Sequence, residues 1–139
     1  MSPLVLAAGC FDPIHLGHIR HLQAARDNYG GPLYVAVSPD EECRLKGTNR
    51  PYFPAYERLL CVRALRCVDV AIEIGTSDAI KKFRPSYYVK GPECRNQPSD
   101  RLIEEIQAVR SYGGTVVYTD DSIYSSTQLM ERVLRDLGI

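Results

Sequence analysis

Short, continuously apolar runs in this chain alternate with segments in which apolar residues recur every three or four positions. Pro3 to Gly9 is apolar throughout, the pattern of a parallel strand covered on both faces. From Leu16 to Asn28, the residues Leu16, Ile19, Leu22 and Ala25 or Arg26 fall at helical spacing, and Gly30-Gly31 ends that helix. Leu33 to Val37 predicts a second strand, stopped by Ser38-Pro39. Ala55 to Arg66 predicts a helix with Leu59, Leu60, Val62 and Leu65 available for packing. Val68 to Ile74 is a third strand, after which Ser77 is placed to cap a short helix running to Phe83 and ended by Pro85. Tyr87 to Lys90 makes a fourth strand. Asp100 to Ser111 is a helix stopped by Gly113-Gly114, and Thr115 to Tyr118 is the fifth strand. Ser125 or Ser126 then opens a last helix carrying Leu129, Met130, Val133 and Leu134.

Strands alternating with helices through short Gly/Pro connections predict an α/β fold. It is a single Rossmann-like, doubly wound domain over residues 1–139, with a five-stranded parallel sheet and helices on both faces. The ligand crevice of such a sheet lies at the carboxyl ends of its strands, where the strand order reverses. The turn Gly9 to His18, the polar loop Asp40 to Pro54 with Arg44, Lys46 and Arg50, the pair Lys90-Gly91 and the segment Tyr118 to Thr127 all follow strands. They are therefore expected on one edge of the sheet. A loop as long as Asp40 to Pro54 inside a small domain is more often functional than idle.

Composition narrows the function classes. A chain of 139 residues buries a real core without covalent staples. Lysine plus arginine equals aspartate plus glutamate at 17 each, which gives no global electrostatic case for nucleic acid or an acidic membrane surface. No apolar run is long enough to span a bilayer, and the N-terminus lacks the pattern of a secretory signal. The five cysteines (Cys10, Cys43, Cys61, Cys67 and Cys94) are odd in number and form no C-x-x-C pair. That argues against a disulfide framework and a structural zinc knot, and predicts a reducing, cytoplasmic setting.

The chemistry concentrates in Gly9-Cys10-Phe11-Asp12-Pro13-Ile14-His15-Leu16-Gly17-His18. His15 and His18 are three apart, hence neighbours on one helix face, and Gly17 between them removes a Cβ where a ligand must approach the backbone. At a helix start the free N–H groups and the macrodipole already favour anions, so two donating imidazoles would complete a phosphate cradle. Two other readings of the pair are helix-cap histidines and a zinc site extended by His21. Asp12 reads either as a turn-forming residue or as a carboxylate near phosphates and metal. Cys10 reads as a small buried residue.

In this order of motifs the chain resembles the nucleotidylyltransferase superfamily with its H-x-G-H signature, specifically the cytidylyltransferase-like branch. Arg44-Leu45-Lys46-Gly47, Arg50-Pro51, Glu57-Arg58, Val68-Asp69, Val89-Lys90-Gly91 and Ser125-Ser126-Thr127 follow the signature in the order found there. Within the branch the likeness is greatest to heptose 1-phosphate adenylyltransferase domains, with glycerol-3-phosphate cytidylyltransferases next. The resemblance implies transfer of an NMP from ATP or CTP to a phosphorylated sugar or polyol with release of pyrophosphate. It also implies Mg2+ carried mainly by phosphates and water, no metal site built from the protein, and a homodimer. His15, His18 and Lys46 would be catalytic. Gly9, Cys10, Phe11, Gly17, Lys90, Gly91, Ser125, Ser126 and Thr127 would contact the nucleotide, and Asp12, Arg50, Arg58 and Arg66 would contact substrate or its phosphates. Two departures leave base and acceptor open: Asp120, Asp121 and Ser122 stand where relatives carry an arginine, and Gly91-Pro92-Glu93-Cys94 where they carry an acidic residue and an aromatic. A non-catalytic nucleotide-binding domain is the rival of a different class.

Overall fold

The computed structural model describes residues 3–95, 98–120 and 126–139. Five parallel strands, β1 (Val5–Gly9), β2 (Leu33–Val37), β3 (Val70–Glu73), β4 (Tyr87–Lys90) and β5 (Thr115–Tyr118), form one sheet in the order β3-β2-β1-β4-β5. Between them run α1 (Leu16–Tyr29), α2 (Asp40–Cys43) with a 3-10 turn at Arg44–Lys46, α3 (Ala55–Arg63), α4 (Thr76–Phe83) and α5 (Asp100–Ser111). A second 3-10 turn spans Pro92–Cys94, and α6 (Ser126–Asp136) follows β5.

The apolar run of β1 is unbroken because both of its faces are covered. Val5 and Ala7 join Leu22 and Ala25 of α1 and Val62 of α3 in one core layer. Leu6 joins Ala79 and Ile80 of α4 and Leu102 and Val109 of α5 in the other. The register pairs Gly9 with Val37, Val37 with Glu73, and Lys90 with Tyr118, so these strands end at one level. Strand order reverses between β1 and β4, which sets the crevice beyond their carboxyl ends. The doubly wound parallel sheet expected from the pattern is the fold observed.

Helix ends show where local signals hold. Gly30 takes the left-handed conformation that closes α1, at φ 69°. A Cβ on Gly31 would lie 1.4 Å from the carbonyl oxygen of Pro3, so only glycine allows the chain to pass there.

Several boundaries differ from the pattern. The first strand begins at Val5, whose amide donates to Pro32, leaving Pro3 and Leu4 outside it. Helix α3 stops at Arg63, because turns from Leu60 to Ala64 and from Val62 to Leu65 fold the chain toward the core. The third strand is shortened to Val70–Glu73: the carboxylate of Asp69 accepts the amide of Leu33 at 2.7 Å and pairs with Arg26, fixing the entry to the strand. Gly75, not Ser77, is the N-cap of α4, its carbonyl accepting from Ala79. The polar stretch Asp40 to Pro54 is not loop throughout, since its first half folds into α2 and the 3-10 turn.

Candidate active site

The chain leaves β1 at Gly9 and turns through Phe11, at φ 52°, into His15, the N-cap of α1. His15 and His18 form a reciprocal cap. The His15 Nδ1 accepts from the Gly17 amide at 3.1 Å, and the His18 Nδ1 accepts from the His15 amide at 3.2 Å. A ring nitrogen that accepts carries no proton, so each neutral imidazole holds its hydrogen on Nε2. The rings stack with centroids 3.9 Å apart, and Phe11 meets His18 edge-on at 5.2 Å. Burial lowers the pKa of His15. Burial, and then the charges of His15, Lys46 and His21, push His18 down to about 3. The cap reading and the phosphate reading are thus compatible: capping fixes the tautomer that leaves a hydrogen-bond donor on each ring.

Asp12 anchors the turn. Its carboxylate accepts from Arg50 Nε at 2.9 Å, from the Tyr52 amide at 2.8 Å and from the Phe53 amide at 2.9 Å. Arg50 Nη2 also donates to the Asp12 carbonyl at 3.0 Å. Arg58 is only 2% exposed. Its Nε donates to the Phe53 carbonyl, its Nη1 to those of Cys10 and Ser38, and its Nη2 to Asp40 Oδ1, all within 2.7–2.8 Å. Asp12, Arg50 and Arg58 therefore lie in the site as girders between the histidine turn and the segment after β2, where a phosphate would have to displace buried ion pairs to reach them.

Arg66 does not join them. It is exposed, beyond the end of α3 and before β3, at the opposite edge of the sheet from the histidines.

Cys10 is buried against Cys43, whose thiol donates weakly to the Ser38 carbonyl at 3.8 Å. The Cys43 thiol, with Lys46 and Arg58, holds the Cys10 pKa down. Lys46 ends the 3-10 turn, exposed, and its charge reaches both Cys10 and His18. Gly17 is buried at the start of α1. Across the crevice, the Lys90 ammonium lies 5.5 Å from the Tyr88 ring centre, and Gly91 caps the Pro92–Cys94 turn. Ser126 and Thr127 open α6. Ser125 lies outside the described residues, as do Asp121 and Ser122, so the Arg-to-acidic departure is described only at Asp120.

Long-range partners were invisible to local pattern. Asp40 holds Arg58, Cys43 backs Cys10, and His21 Nδ1 meets the hydroxyl of buried Thr119 at 2.7 Å, tying α1 to the end of β5. The engagement of His21 with Thr119 directs it away from the zinc reading. Among the described residues no group of three or more His, Cys, Asp and Glu could hold a metal ion, and the Asp12 carboxylate is already engaged. No helix among the described residues is long and apolar enough to cross a membrane.

A family model described as cytidylyltransferase-like matches residues 6–132. The chain is 37% identical over 139 residues to the bifunctional protein HldE of Alcanivorax borkumensis, covering 94% of this chain and 27% of that protein. It is 33% identical over 142 residues to the bifunctional protein HldE of Geobacter sulfurreducens, covering 97% and 28%. The chain thus spans little more than a quarter of the length of these relatives. Among solved structures, the lipopolysaccharide core biosynthesis protein of Thermoplasma volcanium superposes with a TM-score of 0.70 at 27% identity, covering 88% of this chain and 98% of that one.

Proposed function

Because the chain belongs to the cytidylyltransferase-like family, we propose that it is a nucleotidylyltransferase joining an NMP to a phosphorylated sugar, most like a heptose 1-phosphate adenylyltransferase. The observation that carries the reading is the stacked pair His15 and His18, each with Nδ1 engaged in the cap of α1 and Nε2 left as the donor. A phosphate oxygen of the acceptor attacks the α-phosphorus of the nucleoside triphosphate. The bond from that phosphorus to the bridging oxygen breaks, and pyrophosphate leaves. The chain's part is to hold the reacting groups in line and to offset the charge that builds on the α-phosphate and leaving group.

His15 and His18 supply Nε2–H donors, the helix start supplies amide donors, and Lys46 supplies a positive charge. Asp12, Arg50 and Arg58 position these groups from behind. Gly9, Cys10, Phe11, Lys90, Gly91, Ser126 and Thr127 are proposed along the nucleotide, and Mg2+ is proposed as its companion. The similarity to HldE proteins and to a lipopolysaccharide core biosynthesis protein supports a sugar phosphate as acceptor and ATP as donor. A homodimer is proposed as the assembly, to be read by sedimentation velocity.

The test is pyrophosphate release from ATP and from CTP with heptose 1-phosphate, glycerol 3-phosphate and other polyol phosphates. Turnover with ATP and the heptose phosphate supports the reading. Turnover with CTP and glycerol 3-phosphate replaces it by a polyol-phosphate cytidylyltransferase. Nucleotide binding without turnover of any pair would sink the enzyme and leave a nucleotide-binding domain.

A further inference from the structure

Away from the histidine turn, charged side chains converge in a second place, on the sheet face covered by α4 and α5. Tyr88, fully buried in β4, donates its hydroxyl to Glu105 Oε1 at 2.7 Å, and Glu105 is itself only 6% exposed. One turn earlier on α5, Arg101 directs Nε toward Glu105 Oε2 at 3.5 Å and Nη2 onto Glu42 Oε1. Glu42 belongs to α2, four residues before Lys46, and its side chain is mostly buried. Its other oxygen packs over the end of β3, 3.5 Å from where a Cβ on Gly75 would stand.

A buried carboxylate needs a cationic or hydrogen-bonding partner, and an arginine's planar fork can serve two carboxylates in fixed directions where an ammonium presents a point charge. Helix α2 is four residues long, and no side-chain hydrogen bond caps its start. A helix that short does not hold itself. Its position is set from outside, by Asp40 on Arg58 and by Glu42 on Arg101.

We propose that Arg101 is a positioning residue for the reaction: anchored by Glu105 and Tyr88, it latches Glu42 and thereby holds the segment that carries Lys46 at the mouth of the site. The functional half of this statement rests on the transferase reading above, whereas the latch does not.

Limited trypsin digestion of the whole chain, with fragments ending at Arg44 and Lys46 read by mass, tests the latch without any substrate. Arg101→Gln and Glu42→Gln should each speed those cuts roughly two- to fivefold, the scale of a partly exposed ion pair. Cuts after Arg20 in α1 and Lys81 in α4 should stay unchanged, and the double variant should be no faster than either single one. Unchanged cutting after Arg44 and Lys46, or a parallel rise at every site, would overturn the proposal. Pyrophosphate release supplies the second arm. Arg101→Gln should lower kcat/KM for the nucleotide by a similar factor in the native background and not at all in Lys46→Ala, and equal losses in both backgrounds would overturn positioning through Lys46. If the native chain turns over no nucleotide, the transferase reading fails while the digestion still decides the latch.

Discussion

His18 accepts, through Nδ1, the backbone amide of His15 at 3.2 Å, and His15 accepts that of Gly17 in the same way. Each ring is thereby both a cap and a donor, and the two duties separate by substitution. Asparagine caps helices well but offers no group in place of Nε2–H. His15→Asn is expected to keep the native unfolding free energy within about 0.5 kcal/mol and to lose turnover by about a hundredfold or more. His15→Ala is expected to lose the same turnover together with about 1 kcal/mol of stability. Urea unfolding beside pyrophosphate release checks both.

Acid should loosen the fold through the same pair. An unfolded histidine takes up its proton near pH 6.5, whereas His18 in the fold does so only near 3. Between those values the unfolded chain binds more protons, so the stability that a neutral His18 contributes is present in full above about pH 6.5 and declines as pH falls toward 3. Burial lowers His15 in the same direction. Unfolding free energies measured from pH 7 to pH 4 should fall with acid, and this part of the slope should vanish in the double variant His15→Asn/His18→Asn.

Removing the Arg58 guanidinium takes the donor from the Cys10 and Phe53 carbonyls and leaves the Ser38 carbonyl with only the weak Cys43 thiol. Arg58→Ala is expected to cost about 3–5 kcal/mol, the range for breaking a buried charged network. Arg66→Ala, at an exposed position, is expected to stay within about 0.5 kcal/mol. Chemical denaturation of the two variants makes the comparison.

Gly31→Ala would force a methyl group into the Pro3 carbonyl, 1.4 Å away. A loss of about 3 kcal/mol or more is expected, against about 1 kcal/mol for Gly30→Ala, where only the left-handed φ is at stake. Equal losses in thermal or urea melts would show that the chain does not pass Pro3 so closely.

The order and type of the five strands and of α1, α3, α4, α5 and α6 were legible because each is marked by its own residues. Leu33–Val37, Tyr87–Lys90, Thr115–Tyr118 and Asp100–Ser111 have the bounds that their apolar period and flanking Gly or Pro predict. The histidine turn was legible for the same reason, since spacing of three at a helix start is local information. What was not legible is what depends on distant partners. The end of α3, where the chain turns into the core, separates Arg66 from the site, and nothing inside that segment announces it. Arg58 reads as a substrate- or phosphate-binding cation until the carbonyls of Cys10, Ser38 and Phe53 are brought around it. Glu42 and Arg101, 59 positions apart by their numbering, share no periodicity at all.

Arg58 has one consequence for how the lysine can act. It ties the start of the segment at Ser38 and Asp40 and the far end at Phe53 to the floor of the site, while Asp12 grips Arg50, Tyr52 and Phe53. The intervening stretch is tied at both ends to the floor of the site, with Lys46 between the two ties. Tying both ends shortens the free chain that must be ordered when Lys46 meets a ligand, so the entropy cost of that meeting is smaller than for a long loop held only by its flanking strands.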